Sequence, residues 1–437
     1  MATEEAGMRR ASAFEMVPMD DAIAVVLRES AGAAAKRQQH EEIVGLDAAL
    51  GRVLEQDVAA PVDLPAVPLS MKDGYAVRAA DGPGEYPVVA QLNAGIDARE
   101  IQPLPERAVA YIATGAPLPP GADAVVPVEL SEAADGGGER VVLKHSASGI
   151  RPGQDVRQPG CDLKAGIVLA RGTMLREAEI GLLASIGTSV VRVRPAPTVG
   201  VISTGDEVID VHARAAGEPA AGGAAFDSNR PMLLSAARAL GANTVDLGII
   251  RDDVDSVRAA IERAADACDV VVTSGGVSMG KKDVLQRVLA ELGTVHFGRV
   301  CMKPGKPLTF ATLSRRGGAH IALVLSLPGN AVSSFVCFHL AVAPALRTLA
   351  GVEPLAPVVS AALDQPLKLD KERPEYHRAR LRWDASMHSF VAVSTGAQAS
   401  SRLLSACGVN ALLKLPAADQ TLEKGARVEA MLLYSQL

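Results

Sequence analysis

Between Thr198 and Leu346, short apolar runs alternate with amphipathic stretches, and this alternation restricts the possible folds more than any other feature of the chain. Val199–Ile202 reads as a strand ending in the polar turn Ser203-Thr204-Gly205-Asp206-Glu207. Pro231–Leu240 reads as a helix, with proline in its first turn and Gly241 just past its end. Thr244–Ile250 is a strand, Asp255–Ala267 a helix with Asp255 as its cap, Val270–Thr273 a strand and Asp283–Leu292 a helix. Val295–Val300, Leu308–Thr312 and Ile321–Ser326 are further strands, and Ala331–Leu346 closes the region as a helix. Strands this apolar leave no wet face, so the pattern predicts an open α/β sheet covered on both sides.

The flanks follow other rhythms. The first 16 residues read as a loose tail and Pro18–Leu27 as helical, followed by a polar Ala/Lys/Gln/His stretch. Glu42–Asp57 reads as a helix and turn, with Leu46, Leu50, Val53 and Leu54 at helical spacing. After Pro61–Pro68, short apolar runs divided by Gly and Pro predict a small β-rich domain: Tyr86–Ala90, Val109–Ile112, Ala124–Val128, Val141–Leu143 and Gly166–Ala170. A hairpin tip is expected at Asp135–Gly138, and a helix over Leu175–Ile186 stopped by Gly187. Beyond Pro354, Ala361–Leu369, Tyr376–Trp383, Phe390–Ser394, Ala411–Leu415 and Arg427–Leu433 predict a C-terminal β domain or small barrel.

Composition narrows the function. With 437 residues the chain has room for roughly three domains. A formal net charge of −6 argues against non-specific nucleic-acid binding as its main task, although a local basic pocket is compatible with it. No uninterrupted apolar run approaches the roughly 20 residues of a membrane span; Ala331–Ala350 carries His339, Pro344 and Arg347, as a buried helix would. The start shows no apolar core of a secretory signal. The five cysteines are widely spaced without a CxxC pair, so small core residues in a reducing, cytoplasmic setting are expected.

Ligands of open α/β sheets bind beyond the carboxyl ends of the strands. Four turns fall there: Ser203–Glu207, Arg251-Asp252-Asp253, Thr273–Gly280 followed by Lys281, Lys282 and Asp283, and Leu327-Pro328-Gly329-Asn330. In the third, closely spaced glycines would let backbone N–H groups approach an anion, and Asp283 suits either a divalent metal or a helix cap; a flexible turn without ligand is the alternative. Met302-Lys303-Pro304-Gly305-Lys306-Pro307 holds two cations in a restricted loop, fit for an oxyanion or equally a solvated surface turn. Asp206, Glu207, Asp252 and Asp283 together would build a metal and phosphate site, although each alone fits a cap or surface carboxylate. Asp73-Gly74-Tyr75 reads as a turn with a buried Tyr. His377-Arg378 and Ser400-Ser401-Arg402 suit a small anion site, or for His377 a satisfied structural role. No GxSxG, HExxH, P-loop or GxGxxG pattern is present.

In combination these motifs closely resemble the molybdopterin molybdenumtransferase (molybdenum insertase, gephyrin E-domain) family. The resemblance is carried by Ser70–Val77, Ala113–Ala116, Ser203–Glu207, Asp246–Ile249 with Arg251–Asp253, Thr273–Gly280, Lys303–Pro307, Leu327–Asn330 and Arg373–Arg378, in shared order over more than 300 residues. The Lys72-Asp73-Gly74-Tyr75 and Arg373-Pro374-Glu375-Tyr376-His377-Arg378 forms look like the eukaryotic, plant-like branch. The resemblance implies a multidomain α/β and β fold in four parts: a helical linker (17–60 plus 167–196), a β-rich inserted domain (61–166), an open α/β molybdopterin-binding-like domain (197–350) and a C-terminal β domain (351–437).

It further implies a homodimer that hydrolyses adenylylated molybdopterin, releases AMP and inserts molybdate into the dithiolene with Mg²⁺. By that resemblance Asp252 and Asp283 would hold the metal, acting with Lys303 and Lys306 as the catalytic set. Ser274, Gly275 and Gly276 would line the nucleotide or pterin phosphate, and Ser333, Arg373 and Ser400 would help gather molybdate. Asp73, Thr114, Asp155 and Glu207 match family positions near the site. The implied partners are a molybdopterin adenylyltransferase, absent as a domain from these 437 residues and expected either as a separate protein or as part of a longer chain, and acceptor or carrier proteins. A gephyrin-like scaffold and a non-catalytic molybdopterin carrier are the alternatives. Three positions depart from the family pattern: Ala331 follows Asn330 where Pro is usual, Lys281 stands where an acidic residue is common, and Ala397 replaces a polar residue.

Overall fold

The computed structural model describes residues 14–37, 41–134, 138–144, 149–213, 220, 222–276 and 284–434. The tail before residue 14, most of the expected hairpin tip and Asp283 lie outside the described residues. The chain forms two compact units, one of Met1–Glu55, Met174–Ile180 and Ser189–Leu437, the other of Gln56–Thr173 and Gly181–Thr188.

The first unit opens with helix α1 (Met19–Arg37), which buries Met19, Ala22, Val26, Ser30 and Ala33 along one stripe. It runs ten residues past the expected end at Leu27, because the Ala- and Lys-rich stretch that follows is itself helix-forming. The α/β part then follows: β1 (Thr198–Thr204), α2 (Asn229–Ala239), β2 (Asn243–Ile250), α3 (Val254–Ala267), β3 (Val270–Ser274), α4 (Val284–Leu292), β4 (Thr294–Phe297), β5 (Thr309–Arg315) and β6 (His320–Leu327). The sheet order is β2-β1-β3-β6-β5-β4, with the first four strands parallel and β5 antiparallel to both of its neighbours, β6 and β4.

Alternation along the strands splits the interior in two. Val199, Val201, Val270, Val272, Leu323 and Leu325 join α1 and Leu233, Leu234 and Ala237 of α2 in one core. Ile202, Val271, Ala322 and Val324 pack with α3 and α4 in the other. A Cβ at Gly200 would stand 2.7 Å from Leu247 Cδ1 and 2.9 Å from Cys268 Sγ, so a larger residue in β1 would have to push these two side chains aside.

Residues 331–350 form helix α5 (Ala331–Cys337), a π-helical turn (Phe338–Val342) and helix α6 (Ala343–Ala350). By length and composition this stretch is apolar enough to cross a membrane, although it carries His339, Pro344 and Arg347; it is mostly buried within the first core. Five strands then close a barrel: β7 (Val358–Leu363), β8 (Glu375–Asp384), β9 (Ser389–Ser394), β10 (Ala411–Leu415) and β11 (Arg427–Leu432), in the order β7-β9-β8-β10-β11.

The second unit holds a six-stranded sheet in the spatial order Ala124–Pro127, Gly74–Val77, Val109–Ile112, Gly84–Leu92, Arg140–Leu143 and Ser131–Ala133. Its faces again divide by alternation, with Val125 on one side and Ala124 and Val126 on the other.

Several local expectations fail for identifiable reasons. Glu42–Asp57 is not a helix: Glu42–Gly45 pairs antiparallel with Val190–Val193, and only Leu46–Ala48 makes a helical turn. The β-branched Ile43 and Val44 find a strand partner, and long-range pairing overrides the local apolar spacing. The cap of α3 is Asp253, which accepts from Ser256 N–H, rather than Asp255. The strand expected at Val295–Val300 breaks at Gly298, and Val300–Cys301 pairs instead with Val17–Pro18. Cys268 and Cys337 are buried, but Cys161 and Cys407 are exposed, contrary to a core role for every cysteine.

Candidate functional site

The chain leaves β1 toward β2 on one side and leaves β3 toward the opposite edge, so the strand order reverses between β1 and β3. The crevice outside their carboxyl ends is where open α/β sheets bind ligands. Two of the four polar turns meet there directly. A Cβ on Gly275 would fall 2.3 Å from the Thr204 carbonyl, and Gly275 has φ +94°, so backbone approach and handedness both demand glycine. A Cβ on Gly276 would stand 2.8 Å from Thr204 Oγ1 and 3.6 Å from Asp252 Oδ1, which brings in the second turn. The fourth turn closes the ring: Gly275 N–H donates to Leu327 O, and a Cβ on Gly329 would stand 3.6 Å from Gly275 Cα.

One residue that the sequence reading passed over joins these turns. Asn229, at the start of α2, donates from Nδ2 to Ser274 Oγ at 2.7 Å and to Gly329 O at 2.7 Å. The end of α2 that carries it is anchored by Arg230, which meets Asp227 at 2.9 Å and also pairs with Asp210 and Asp246. Burial works against the charge on Arg230, but the three carboxylates outweigh it and hold its pKa above the ordinary arginine value. Asp246 of the Asp246–Ile249 motif is thus an anchor of α2. The buried Thr204 Oγ1 and Asn229 Oδ1 have no hydrogen-bond partner among the described residues, a condition that calls for a ligand or water. Asn229 was legible only as part of the polar run Asp227-Ser228-Asn229 before the helix.

The other implied residues divide. Glu207 is exposed, with both carboxylate oxygens beside Gly205. Lys303 Nζ is not a free cation: it lies 3.2 Å from Asp370 Oδ2 and 3.1 Å from Glu375 Oε2. Burial pulls the lysine pKa down, but these carboxylates raise it above normal. Glu375 Oε1 accepts from His377 Nδ1 at 3.0 Å, and His377 Nε2 meets Ser394 Oγ at 2.7 Å, so the histidine is satisfied at both nitrogens. The Lys303 loop is stitched to the start of β8 by Lys303 N–H to Pro374 O and Tyr376 N–H to Lys303 O. Arg373 donates to Met302 O at 3.2 Å in the same place. Lys306 is half-buried three residues on. Ser333, buried at the start of α5, lies one residue from Val332, whose N–H donates to Ser400 O.

Asp73, Thr114 and Asp155 belong to the second unit. Asp73 Oδ1 accepts from Thr114 N–H at 2.7 Å and from its hydroxyl at 2.9 Å, and these bonds lower the carboxyl pKa. Asp155 sits at φ +51°, and its carbonyl accepts from Met71 N–H. Among the described residues no three His, Cys, Asp or Glu side chains form a metal-binding group. This is compatible with Mg²⁺, which takes one or two carboxylates plus substrate phosphates rather than a full protein cage.

Comparison with known proteins adds three family matches: "MoeA N-terminal region (domain I and II)" over residues 17–187, "Probable molybdopterin binding domain" over 200–348 and "MoeA C-terminal region (domain IV)" over 360–433. The chain is 38% identical to a gephyrin of Dictyostelium discoideum, over 97% of its own length and 63% of that protein. It is 36% identical to molybdopterin molybdenumtransferase 2 of Mycobacterium tuberculosis, over 85% of this chain and 90% of that one. It is 31% identical to the molybdopterin molybdenumtransferase of Bacillus subtilis, over 96% and 95% respectively. A solved structure of the molybdopterin biosynthesis MoeA protein from Pyrococcus horikoshii superposes with a TM-score of 0.76 at 28% identity, covering 96% of this chain and all of that one.

Proposed function

The chain belongs to the molybdopterin molybdenumtransferase (MoeA/gephyrin E-domain) family of molybdenum-cofactor biosynthesis, and from that premise we propose that it hydrolyses adenylylated molybdopterin and loads molybdate onto the dithiolene. The observation that carries this reading is the crevice at the strand-order reversal, where Thr204, Asn229, Asp252, Ser274 and two glycines face one another. Ser274 with the Gly275 and Gly276 backbone suits a phosphate of the substrate.

In the hydrolytic step water adds to the adenylyl phosphorus, the phosphoanhydride P–O bond breaks, AMP leaves and the other phosphate stays on the pterin. In the insertion step two Mo–S bonds form while one molybdate oxide departs as water with the two thiol protons, without redox change. Asp252, with Asp283, would hold a Mg²⁺ ion, which when bound offsets charge on the phosphoanhydride. Lys306 and Arg373 would offer charge to molybdate, with Ser333 and Ser400 as polar neighbours. Lys303, bound to Asp370 and Glu375, would orient the loop and supply only part of its charge. Glu207 remains a candidate residue of the crevice, and Asp73, Thr114 and Asp155 remain candidate functional residues of the second unit.

The same reading carries forward the four-part division given above, a homodimer, a cytoplasmic setting and a molybdopterin adenylyltransferase partner, as a separate protein or as a domain of a longer chain. A plant-like placement rests on the Lys72–Tyr75 and Arg373–Arg378 motif forms alone.

Incubation with adenylylated molybdopterin, Mg²⁺ and molybdate tests the proposal. Molybdate-dependent AMP release with parallel formation of metallated pterin is expected. Tight binding without AMP release would replace it with a carrier or gephyrin-like scaffold.

A further inference from the structure

We infer that Asn229 is a positioning residue that fixes the Ser274 hydroxyl as a hydrogen-bond donor toward an anionic group of the substrate. The inference rests on the reading above and deepens it at one atom. Gly329 O can only accept, so the Asn229 atom 2.7 Å from it is the amide nitrogen. The same nitrogen lies 2.7 Å from Ser274 Oγ, and its two N–H groups serve the two acceptors. Ser274 Oγ therefore accepts a hydrogen bond from Asn229 and keeps its own O–H proton for another partner. Among the described residues no group accepts that proton.

Ser274 ends β3, is 3% exposed, and is followed by two glycines at φ +94° and +67°. A serine hydroxyl free to rotate serves equally as donor or acceptor. One whose lone pair is engaged from behind is biased to donate, which is what a phosphate oxygen requires. Asn229 Oδ1 has no partner among the described residues, so the two bonds from Nδ2 set the side chain's orientation. The same two bonds tie the turn after β3 to the turn after β6, and the ion pairs of Arg230 hold the helix end in place.

The test is steady-state AMP release as a function of adenylylated molybdopterin for Asn229→Asp, Asn229→Ala, Ser274→Ala and the Asn229→Asp/Ser274→Ala double variant, with thermal midpoints alongside. A carboxylate at position 229 would accept the Ser274 proton and turn the hydroxyl inward. Asn229→Asp is expected to raise KM about tenfold with a smaller change in kcat, Asn229→Ala about threefold, and the Asn229→Asp factor to fall to about threefold, the part due to the lost Gly329 bond, once Ser274 is Ala. Equal KM for the Asp and Ala variants, or an undiminished Asn229→Asp effect in the Ser274→Ala background, would reduce Asn229 to a brace between turns and overturn the inference. Absence of AMP release by the unsubstituted protein would instead overturn the functional reading beneath it.

Discussion

Lys303 Nζ lies 3.1 Å from Glu375 Oε2, an ion pair that joins the Lys-Pro-Gly-Lys-Pro loop to the first residue of β8 in the barrel. The lysine side chain is 36% exposed and the carboxylate only 7%. Burial alone would raise the Glu375 pKa, but the His377 hydrogen bond and the charge on Lys303 outweigh it and hold the carboxyl below its usual 4.5. A carboxyl with a depressed folded pKa binds more protons when unfolded. Its stabilisation is therefore present above the unfolded pKa and is lost as pH falls from about 4.5 through the lower folded value. Glu375→Gln should cost about 1–3 kcal/mol at pH 7, less than a fully buried pair because Lys303 is partly wet. Urea denaturation from about pH 7 down to about pH 3 spans both the plateau and the acid limb below the usual 4.5, and the variant should show a flatter acid limb.

Gly275→Ala places a methyl 2.3 Å from the Thr204 carbonyl at a left-handed φ. The turn must move, at about 1–3 kcal/mol. Denaturation should show that loss, and AMP release should fall much further than stability because the displaced backbone lines the crevice. Gly248→Ala, also at positive φ but with open space around it, should strain its turn yet retain AMP release.

Arg378 is fully buried in the barrel wall, donates to Ser405 Oγ at 3.0 Å, and leaves Nη1 without a partner among the described residues. Burial pushes its pKa down to about 10. A base with a depressed folded pKa sheds its proton more readily when folded, so at neutral pH its charge works against folding. Arg378→Met should change stability by less than about 1 kcal/mol or raise it, as for other buried charges replaced by apolar groups. A thermal midpoint several degrees lower would show that its hydrogen bonds outweigh the burial cost.

Removal of divalent metal by chelation should stop AMP release and leave the thermal midpoint unchanged. Asp252→Ala should behave likewise, and Asp283→Ala should lose turnover more than stability. Unchanged AMP release in either variant at normal stability would remove it from the metal-holding role.

Asp73 accepts two bonds from Thr114, and its carboxyl pKa is lowered first by the backbone N–H and then by the hydroxyl. By the same linkage, Asp73→Asn should lower the thermal midpoint at neutral pH, and the difference from the unsubstituted protein should shrink as pH falls below the usual carboxyl value of 3.8. Thr114→Val keeps the backbone donor and should lower the midpoint less.

The α/β sheet was legible because β1, β3 and β6 are buried on both faces and so appear as unbroken apolar runs between helices. The barrel was legible from short alternating runs. The Glu42–Gly45 strand was not, because its partner lies near residue 190 and its own apolar spacing also fits a helix. The glycine turns were visible as candidates, but the Lys303–Glu375 pair spans 72 residues and appears only when the loop pairs with β8. Glu375 and His377 at i and i+2 share one strand face, a local signal that would have linked them. Asn229 was missed because its two acceptors belong to different strand ends, Ser274 closing β3 and Gly329 following β6.

The most direct test of the central claim is a crystal structure of the chain with adenylylated molybdopterin. The account predicts a substrate phosphate against the Gly275 and Gly276 backbone, with Ser274 Oγ within hydrogen-bond distance of one of its oxygens. A substrate phosphate bound away from the β1–β3 crevice, with Ser274 and Asn229 untouched, would contradict it.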